Sequence, residues 1–323
     1  IRDRDVTGVQ TCALPICDIV LELAKKSDVF LENNRPGVLD TLGLGAAQVR
    51  AVNPDIVYTS ASGFGQTGPY RKRAGVNLIV EAFSGALSVT GSPDDMPMRT
   101  GVQAADIFGA MFSTYATLCG LIGKLSGKGG RTADVSLVEA SISAAAWETA
   151  FYLATGEVPV RCGHQHRLNT PYQLFETVDK HYLAIGTPND ELFRRFMKTV
   201  GLEASIADPR FATYVLRKQN EAAMLEIVSP AIRGKKAAEL EAQLMEAGVP
   251  CARANNFEEV FNDPHMVERK MVNEIQHPKL GKIRVARNPV LMDHDGPGQP
   301  KPAPVLGQHS AEILASVGYS EGQ

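Results

Sequence analysis

The sequence has few cysteines, and no two of them stand at a spacing typical of metal sites. The five cysteines are scattered through 323 residues without a C-x-x-C motif. Disulfide frameworks and zinc cages need clustered or regularly spaced cysteines, so this distribution argues against both. We therefore predict reduced thiols and no bound metal. The cysteines are Cys12, Cys17, Cys119, Cys162 and Cys251.

The sequence also lacks a large excess of one charge and a long apolar run. Lys plus Arg number 33 and Asp plus Glu 36, which gives a net charge of −3. Nucleic-acid binding relies on a basic surface, so we predict no nucleic-acid partner. A membrane-spanning helix needs about 20 predominantly apolar residues. The longest apolar candidate, 106–125, is interrupted by Ser113, Thr114, Thr117 and Lys124, so we predict a cytoplasmic protein with no membrane segment.

The first residues do not share the pattern of the rest. Residues 6–16 read VTGVQTCALPI, which resembles the in-frame translation of a sequencing adapter. Tags and fusion scars are set aside before a fold is considered. We therefore treat residues 1–17 as non-native and expect the regular pattern to begin at Asp18.

Strands and helices alternate through the first half of the chain. This alternation is typical of βαβ units, so we predict an α/β fold with a parallel sheet. The predicted strands are 28–31, 54–60 and 132–137, and the predicted helices are 18–26, 36–42, 46–52, 77–87, 106–125 and 138–154.

After about Gly156 the pattern changes to hairpins and separate helices, which indicates a smaller α+β part. The predicted hairpins are 172–186 and 275–285, and 249–254 resembles a strand. The predicted helices are 191–200, 220–229, 236–247, 257–272 and 310–317, with a linker rich in Pro and Gly at 296–304.

The segment Gly63 to Gly68 reads GFGQTG and follows a predicted strand. It matches G-x-G-x-x-G, but a dinucleotide site also needs a helix that opens at the third glycine. Pro69 and the basic run 71–73 stand there instead. We therefore favour a glycine-rich loop close to some other ligand. The pair His164 and His166 lacks acidic or thiol partners at a telling spacing, which favours surface histidines over a metal site.

Asp106 opens a long predicted helix in a setting of apolar and small residues. One interpretation is a helix N-cap. The other is a reactive carboxylate placed where backbone N–H groups and the helix dipole also stabilise a developing oxyanion. The pattern around Asp106 leaves both open.

Four stretches in order resemble the class III CoA-transferases, the CaiB/BaiF family that includes formyl-CoA and carnitine CoA-transferases. The resemblance extends from Asp18 to the C-terminus. The stretches are ENNRPG at 32–37 with LGL at 42–44; NPDIVY at 53–58 with SGFGQTGPY at 62–70; DIFG at 106–109 with GKG at 127–129 and DVSL at 134–137; and RCGHQH at 161–166 with Pro171 and Tyr172.

The resemblance implies a Rossmann-like large domain with a parallel sheet, a smaller inserted α+β domain, and an interlocked homodimer. The implied ranges are 18–165 for an N-terminally truncated large domain, 166–285 for the small domain, and 286–323 for a linker that returns to the large domain.

The resemblance also implies the chemistry. Asp106 attacks an acyl-CoA thioester to give a mixed anhydride and then an aspartyl-CoA thioester, and CoA passes to a second carboxylic acid. Coenzyme A is a substrate, and no permanent cofactor is implied. Gly163 and His164 stand where the family has a mobile substrate loop, although asparagine is usual at the second position. Thr41 replaces an arginine that contacts CoA in some members. The implied CoA cleft comprises Asn33, Asn34, Arg35, Ala74, Gly75, Val76 and Asn77.

Two alternatives stay open. The related α-methylacyl-CoA racemases carry a histidine base in a G-H-D stretch, and this chain reads Gly75-Val76-Asn77 there. Valine cannot move a proton, which disfavours two-base racemisation. The other alternative is an inactive fragment, because the family's first βαβ unit has no counterpart in the chain. Its loss would expose sheet strands, so we expect the 323-residue chain to be poorly soluble.

Overall fold

The structure is a computed structural model that describes residues 13–293, 298 and 300–320. Most of the adapter-like segment and part of the 296–304 linker lie outside the described residues. The chain divides into two units, 1–163 with 310–323 and 164–309. The domain ranges that the resemblance implies remain predictions.

The first unit is built on a three-stranded parallel sheet. Its strands are β1 (Val29–Glu32), β2 (Val57–Ser62) and β3 (Thr132–Ser136), in the order β1-β2-β3. Every residue of β2 is buried. A parallel strand is usually covered on both faces, and the continuous apolar and small character of β2 meets that condition. This is the mixed α/β arrangement that the sequence predicts.

Seven α-helices of the first unit precede the second unit among the described residues, with a 3-10 helix at Ala86–Val89 and a π-helix at Lys124–Lys128. The expected helix at 138–154 is broken at Ala145, whose ψ of 43° is not helical. The helix that begins at Ala13 starts five positions before the expected Asp18. The helices are α1 (Ala13–Lys25), α2 (Val38–Thr41), α3 (Ala46–Val52), α4 (Asn77–Phe83), α5 (Ala104–Gly123), α6 (Leu137–Ala144) and α7 (Ala146–Thr155).

Helix α5 packs against the sheet through small residues. Its buried positions are Ala105, Gly109, Ser113 and Gly120. A Cβ atom placed on Gly120 would lie 2.5 Å from Cγ1 of Val57 in β2. The helix can therefore approach the strand this closely only because Gly120 has no side chain.

The stretch Ala104–Lys128 is long and apolar enough to cross a membrane by length and composition alone, among the residues described. The polar residues within 106–125 do not take the stretch below that criterion, but one such helix is weak evidence for a membrane span. Core helices of soluble proteins meet the same criterion. In this structure the stretch packs along β2, β3 and α6.

The second unit contains an antiparallel sheet and a hairpin. The sheet has the order β4-β5-β6, and β7 pairs with β8. The expected helix at 257–272 is instead two short helices separated at Asp263, because Pro264 begins a new helix capped by the Asp263 side chain. The strands are β4 (Tyr172–Glu176), β5 (Tyr182–Gly186), β6 (Cys251–Arg253), β7 (Val272–His277) and β8 (Gly281–Ala286).

The core of the second unit is formed by apolar side chains of its sheet and helices, including Leu183, Phe196 and Leu240, which are fully buried. A last helix, at Ser310–Ser316, belongs to the first unit. The helices from the second unit onward are α8 (Asp190–Thr199), α9 (Tyr214–Gln219), α10 (Glu221–Arg233), α11 (Ala237–Glu246), α12 (Phe257–Asn262), α13 (Pro264–Glu268) and α14 (Ser310–Ser316).

Candidate active site

A cavity of about 870 Å³ lies in the first unit, where β1 and β2 end and α5 begins. Ligands of open parallel sheets bind at the carboxyl ends of the strands, and the volume is ordinary for a small-molecule site. Its lining includes the implied nucleophile and every residue of the implied CoA cleft. These are Asp106 with Asn33, Asn34, Arg35, Ala74, Gly75, Val76 and Asn77.

Asp106 lies within the first turn of α5 and does not cap it. The helix begins at Ala104, and Gln103 occupies the N-cap position without a side-chain cap. The N-cap interpretation of Asp106 is therefore wrong. The Asp106 side chain is exposed. Among the described residues its carboxylate has no hydrogen-bond or ion-pair partner, so both oxygens are available to a ligand in the cavity.

The start of α5 is held by an asparagine from another helix. Oδ1 of Asn77, the first residue of α4, accepts hydrogen bonds from the N–H groups of Ala105 at 3.0 Å and Asp106 at 3.3 Å. Its Nδ2 donates to Oε1 of Glu81 at 2.9 Å. Asn77 thus supplies the capping oxygen that Gln103 does not.

Glu81 is a buried carboxylate, only 1% exposed. Its Oε1 accepts hydrogen bonds from the Thr100 hydroxyl at 2.7 Å and from Asn77. Burial alone would raise the pKa of Glu81, but hydrogen bonds from the Thr100 and Asn77 side chains and from the backbone N–H groups of Thr100 and Ala104 hold that pKa below its usual value. The group is therefore an anion at neutral pH, and it fixes the orientation of the Asn77 amide.

The first N–H groups of α5 are all occupied by hydrogen bonds. Ala104 donates to the carbonyl of Val102 at 2.9 Å and Ile107 to that of Gln103 at 3.0 Å. Ala105 and Asp106 donate to Asn77. The expectation that these N–H groups stabilise an oxyanion is therefore wrong for this structure. The positive end of the helix dipole still faces this part of the cavity.

Sequence reasoning missed Ser62, the last residue of β2. It lines the cavity and is only 4% exposed, and its Oγ has no hydrogen-bond partner among the described residues. A buried hydroxyl without a partner is costly, so an unpaired one at a cavity wall marks a point where a ligand can bind. The position of Ser62 at the carboxyl end of a predicted strand was the available signal.

The glycine-rich loop has a packing role at the cavity wall. A Cβ on Gly63 would lie 2.8 Å from Cα of Gly75, so the two backbones are in direct contact. The N–H of Gln66 donates to both carboxylate oxygens of Asp134, at 3.1 and 3.0 Å. Gly63 and Gly75 both line the cavity. The glycines therefore allow close approach of two chain segments beside the ligand space.

Arg73 fixes the other end of this loop. Its guanidinium lies over the rings of Phe64, Tyr70 and Phe83, at 5.1, 5.6 and 5.3 Å from the ring centroids. These distances are typical of cation–π contacts. Arg73 also lines the cavity, so its charge is close to the ligand space while its position is set by the aromatic rings.

Gly163 and His164 are not among the described residues that line this cavity. Gly163, with a φ of 62°, donates its N–H to Gly91 at 2.9 Å, and His164 lines a separate depression in the second unit. The implied role of both residues remains a prediction. His166 stacks on Tyr172 with 4.6 Å between ring centroids. Within the described ranges, no group of three His, Cys, Asp or Glu side chains is arranged to hold a metal ion.

Comparison with known proteins identifies the family of this chain. A model of CoA-transferase family III matches residues 17–310. The succinate–glutarate CoA-transferase of Agrobacterium fabrum strain C58 is 33% identical over 301 residues, which are 93% of this chain and 75% of that protein. The succinyl-CoA:glutarate CoA-transferase of Mus musculus is 34% identical over 305 residues, which are 94% and 70% of the two chains.

A solved structure is similar as well. The crystal structure of a CaiB/BaiF family protein from Brucella suis matches with a TM-score of 0.80 and 32% identity, over 93% of this chain and 78% of that chain. The chain belongs to CoA-transferase family III. It is a CoA-transferase, an enzyme that moves coenzyme A from an acyl-CoA to a carboxylic acid, and the family and enzyme class predicted from the sequence are confirmed.

Proposed function

We propose that Asp106 is the nucleophile of this CoA transfer. A carboxylate oxygen attacks the thioester carbonyl, which breaks the C–S bond and gives a mixed anhydride and the CoA thiolate. The thiolate then attacks the aspartyl carbonyl, releases the first acid and forms an aspartyl-CoA thioester. The observation that carries this proposal is that the carboxylate of Asp106 lines the cavity and has no partner among the described residues.

The second half of the reaction repeats these steps in reverse. The incoming acid attacks the aspartyl-CoA carbonyl and gives a new anhydride and the thiolate. The thiolate attacks the acyl carbonyl of that anhydride, which forms the new acyl-CoA and regenerates Asp106. A carboxylate is a weak nucleophile, so the rate depends on how precisely the attacking oxygen is placed against the carbonyl carbon. The hydrogen bonds that Asn77 accepts from the start of α5 fix the position of the nucleophile. The hydroxyl of Ser62, which has no partner among the described residues, is available as a hydrogen-bond donor.

We propose short dicarboxylates, with succinyl-CoA and glutarate as the first pair to test. The two similar enzymes named above carry succinate and glutarate in their names. Two guanidinium groups, Arg35 and Arg73, line the cavity. Arg73 is held by three aromatic rings, so Arg35 is the guanidinium that can pair with the second carboxylate of such an acid. A carnitine-like acid offers a cationic group at that position, and the two arginines would repel it.

A racemase would need two proton-transfer groups on opposite sides of an α-carbon. Val76 lines the cavity where the racemases have their histidine, and no histidine is among the described residues of the cavity lining. Incubation in deuterium oxide tests this alternative. Solvent deuterium at the α-carbon without CoA exchange would favour the racemase.

The homodimer, the inserted small domain and a cytoplasmic location also belong to this proposal. Support for the dimer comes from one side of α5 and the π-helix after it, where large apolar side chains recur at helical spacing and are exposed. They are Ile107, Met111, Tyr115, Leu118, Ile122 and Leu125. A second copy of the chain would cover this stripe. Sedimentation of the purified protein over a range of concentrations tests it, and a stable monomer would contradict it.

The nucleophile is tested by trapping. The protein is incubated with succinyl-CoA, quenched with hydroxylamine and digested, and the peptide with Asp106 is examined by mass spectrometry. We expect a hydroxamate on Asp106, absent in Asp106→Asn and retained in the control Asp94→Asn, which changes an exposed aspartate outside the cavity. Transfer activity with an unmodified Asp106 would contradict the assignment.

A further inference from the structure

Arg161 holds a loop that precedes helix α5. Its Nε donates to the carbonyl of Ser92 at 2.9 Å, and its Nη2 donates to the carbonyls of Pro93 at 3.1 Å and Asp95 at 2.9 Å. Hydrogen bonds from a charged guanidinium are stronger than those from a neutral donor. Three of them from one half-buried side chain therefore fix the backbone of 92–95.

Two glycines bring the loop and the segment of Arg161 together. The N–H of Gly163 donates to the carbonyl of Gly91 at 2.9 Å. Gly91 has a φ of 109°, which favours glycine, and a Cβ there would lie only 3.1 Å from Cβ of Met98. The N–H of Met98 donates to the carbonyl of Thr90 at 3.1 Å, which closes the loop. We call this segment the 90–100 loop.

The last residue of the 90–100 loop contacts the buried carboxylate of the site. The hydroxyl of Thr100 donates to Oε1 of Glu81 at 2.7 Å, and its N–H donates to Oε2 at 3.4 Å. Glu81 also accepts from Asn77 at 2.9 Å, and Oδ1 of Asn77 accepts the N–H of Asp106. A continuous series of contacts therefore joins the loop to the proposed nucleophile.

We infer that Arg161 is a positioning residue for Asp106, and that it acts through the 90–100 loop and Thr100. The inference rests on the proposed function, which makes Asp106 the nucleophile. Arg161 is not among the described residues that line the cavity. Its loss should therefore spare the binding of acyl-CoA. The attack should slow, because the rate depends on the position of the carboxylate and this position is no longer fixed.

The test compares two arginines of the first unit that both bind backbone carbonyls. Arg50 is also half-buried and lies outside the cavity lining. Its Nη2 donates to the carbonyls of Pro54 at 3.4 Å and Gly130 at 3.2 Å. Arg161→Ala and the control Arg50→Ala are assayed with succinyl-CoA and glutarate, and the Tm of each is measured.

We expect kcat of Arg161→Ala to fall at least about tenfold, with KM for succinyl-CoA within about twofold of wild type. Arg50→Ala should lower Tm and leave both constants unchanged. Arg161→Lys keeps the charge and three donors, so its kcat should lie between those of wild type and Arg161→Ala.

A double-mutant cycle tests the route. Thr100→Val removes the hydroxyl that donates to Glu81 and keeps the shape of the side chain. If Arg161 and Thr100 act through one route, the double variant should lose little more kcat than the worse single variant. If Arg161→Ala does not fold, the cycle is run with Arg161→Lys.

Hydrogen exchange followed by mass spectrometry gives a measurement that does not depend on turnover. The peptide with Ala105 and Asp106 should exchange faster in Arg161→Ala than in wild type and stay unchanged in Arg50→Ala, because the N–H groups of both residues donate to Asn77. Unchanged exchange in Arg161→Ala would overturn the inference. So would an unchanged kcat, or losses in the double variant that simply multiply.

The proposed function fails separately. If hydroxylamine trapping leaves Asp106 unmodified in the wild type while Arg161→Ala still speeds exchange at the start of α5, Arg161 holds that helix end and another group is the nucleophile.

Discussion

Oδ1 of Asn77 accepts the backbone N–H of Asp106 across 29 positions of sequence, at 3.3 Å. The same side chain donates to Glu81, a buried carboxylate. The proposed nucleophile therefore takes its position from an amide whose orientation is fixed by a buried anion. The three residues are linked by hydrogen bonds, so a substitution of Glu81 or Asn77 should displace the carboxylate of Asp106.

The first prediction concerns Asn77→Asp. The new carboxylate can still accept from α5, but it loses the donor to Glu81 and places a second negative charge beside it. Like charges raise each other's pKa and destabilise the fold at neutral pH. We expect a lower Tm than wild type at pH 7 and a smaller difference at pH 5. Asn77→Ala is the control. It should lose about 1 kcal/mol with the cap and show no such recovery in acid.

The second prediction concerns pH and Glu81. Because its pKa is lowered in the folded state from the ordinary 4.5, its contribution to stability is complete above that ordinary value. The contribution is lost as pH falls through the lower folded pKa. Glu81→Gln cannot titrate. Urea unfolding from pH 7 to pH 3 should show a stability deficit in the variant that narrows below about pH 4.5. A stability deficit of Glu81→Gln that does not change with pH would contradict an ionised Glu81 in the folded protein.

The third prediction compares two glycines of α5. A Cβ on Gly120 would lie 2.5 Å from Cγ1 of Val57, whereas a Cβ on Gly123 meets nothing within 4 Å. Gly120→Ala should destabilise the protein by about 1–3 kcal/mol through overpacking. Gly123→Ala should stabilise it by about 0.4–1 kcal/mol, since Gly123 already has helical dihedral angles. Thermal unfolding of both variants measures this, and shifts of the same sign would contradict the packing described.

The fourth prediction concerns Ser62→Ala. The hydroxyl is buried without a partner, so its removal relieves an unpaired polar group and should leave Tm unchanged or raise it. If the hydroxyl binds the substrate or the developing charge, kcat/KM should fall by about tenfold or more. The control is Ser141→Ala. Ser141 is a buried serine outside the cavity that bonds to its own helix. Unchanged kcat/KM in Ser62→Ala would show that the hydroxyl binds neither the substrate nor the developing charge.

The sequence predicted the parallel α/β arrangement, because strand and helix patterns alternate along it. It also predicted the residues that now share a cavity, but through family motifs. Periodicity alone left Asp106 as either a cap or a reactive group. The contact from Asn77 could not be predicted, since a cap supplied by another helix depends on how α4 and α5 pack.

Two predicted helices, 138–154 and 257–272, are each broken in the structure, and the two errors have different causes. The break at Asp263 had a sequence signal, because an aspartate before Pro264 favours a new helix start. The break at Ala145 had none, since alanine is the best helix former and its dihedral angles follow from the surrounding fold. Ser62 was missed for a third reason. Whether a buried hydroxyl finds a partner depends on side chains from other elements.

Helix α5 carries the proposed nucleophile near one end and packs against the sheet through Gly120 near the other. A small tilt of the helix about the Gly120 contact is therefore amplified at Asp106. Fourteen residues at about 1.5 Å each separate the two positions by about 21 Å. A tilt of about 3° at the far contact would move the carboxylate by about 1 Å, a displacement that can slow a reaction about a hundredfold. Substitutions of Val57, which packs against Gly120 in β2, should therefore alter turnover although they change no side chain of the cavity.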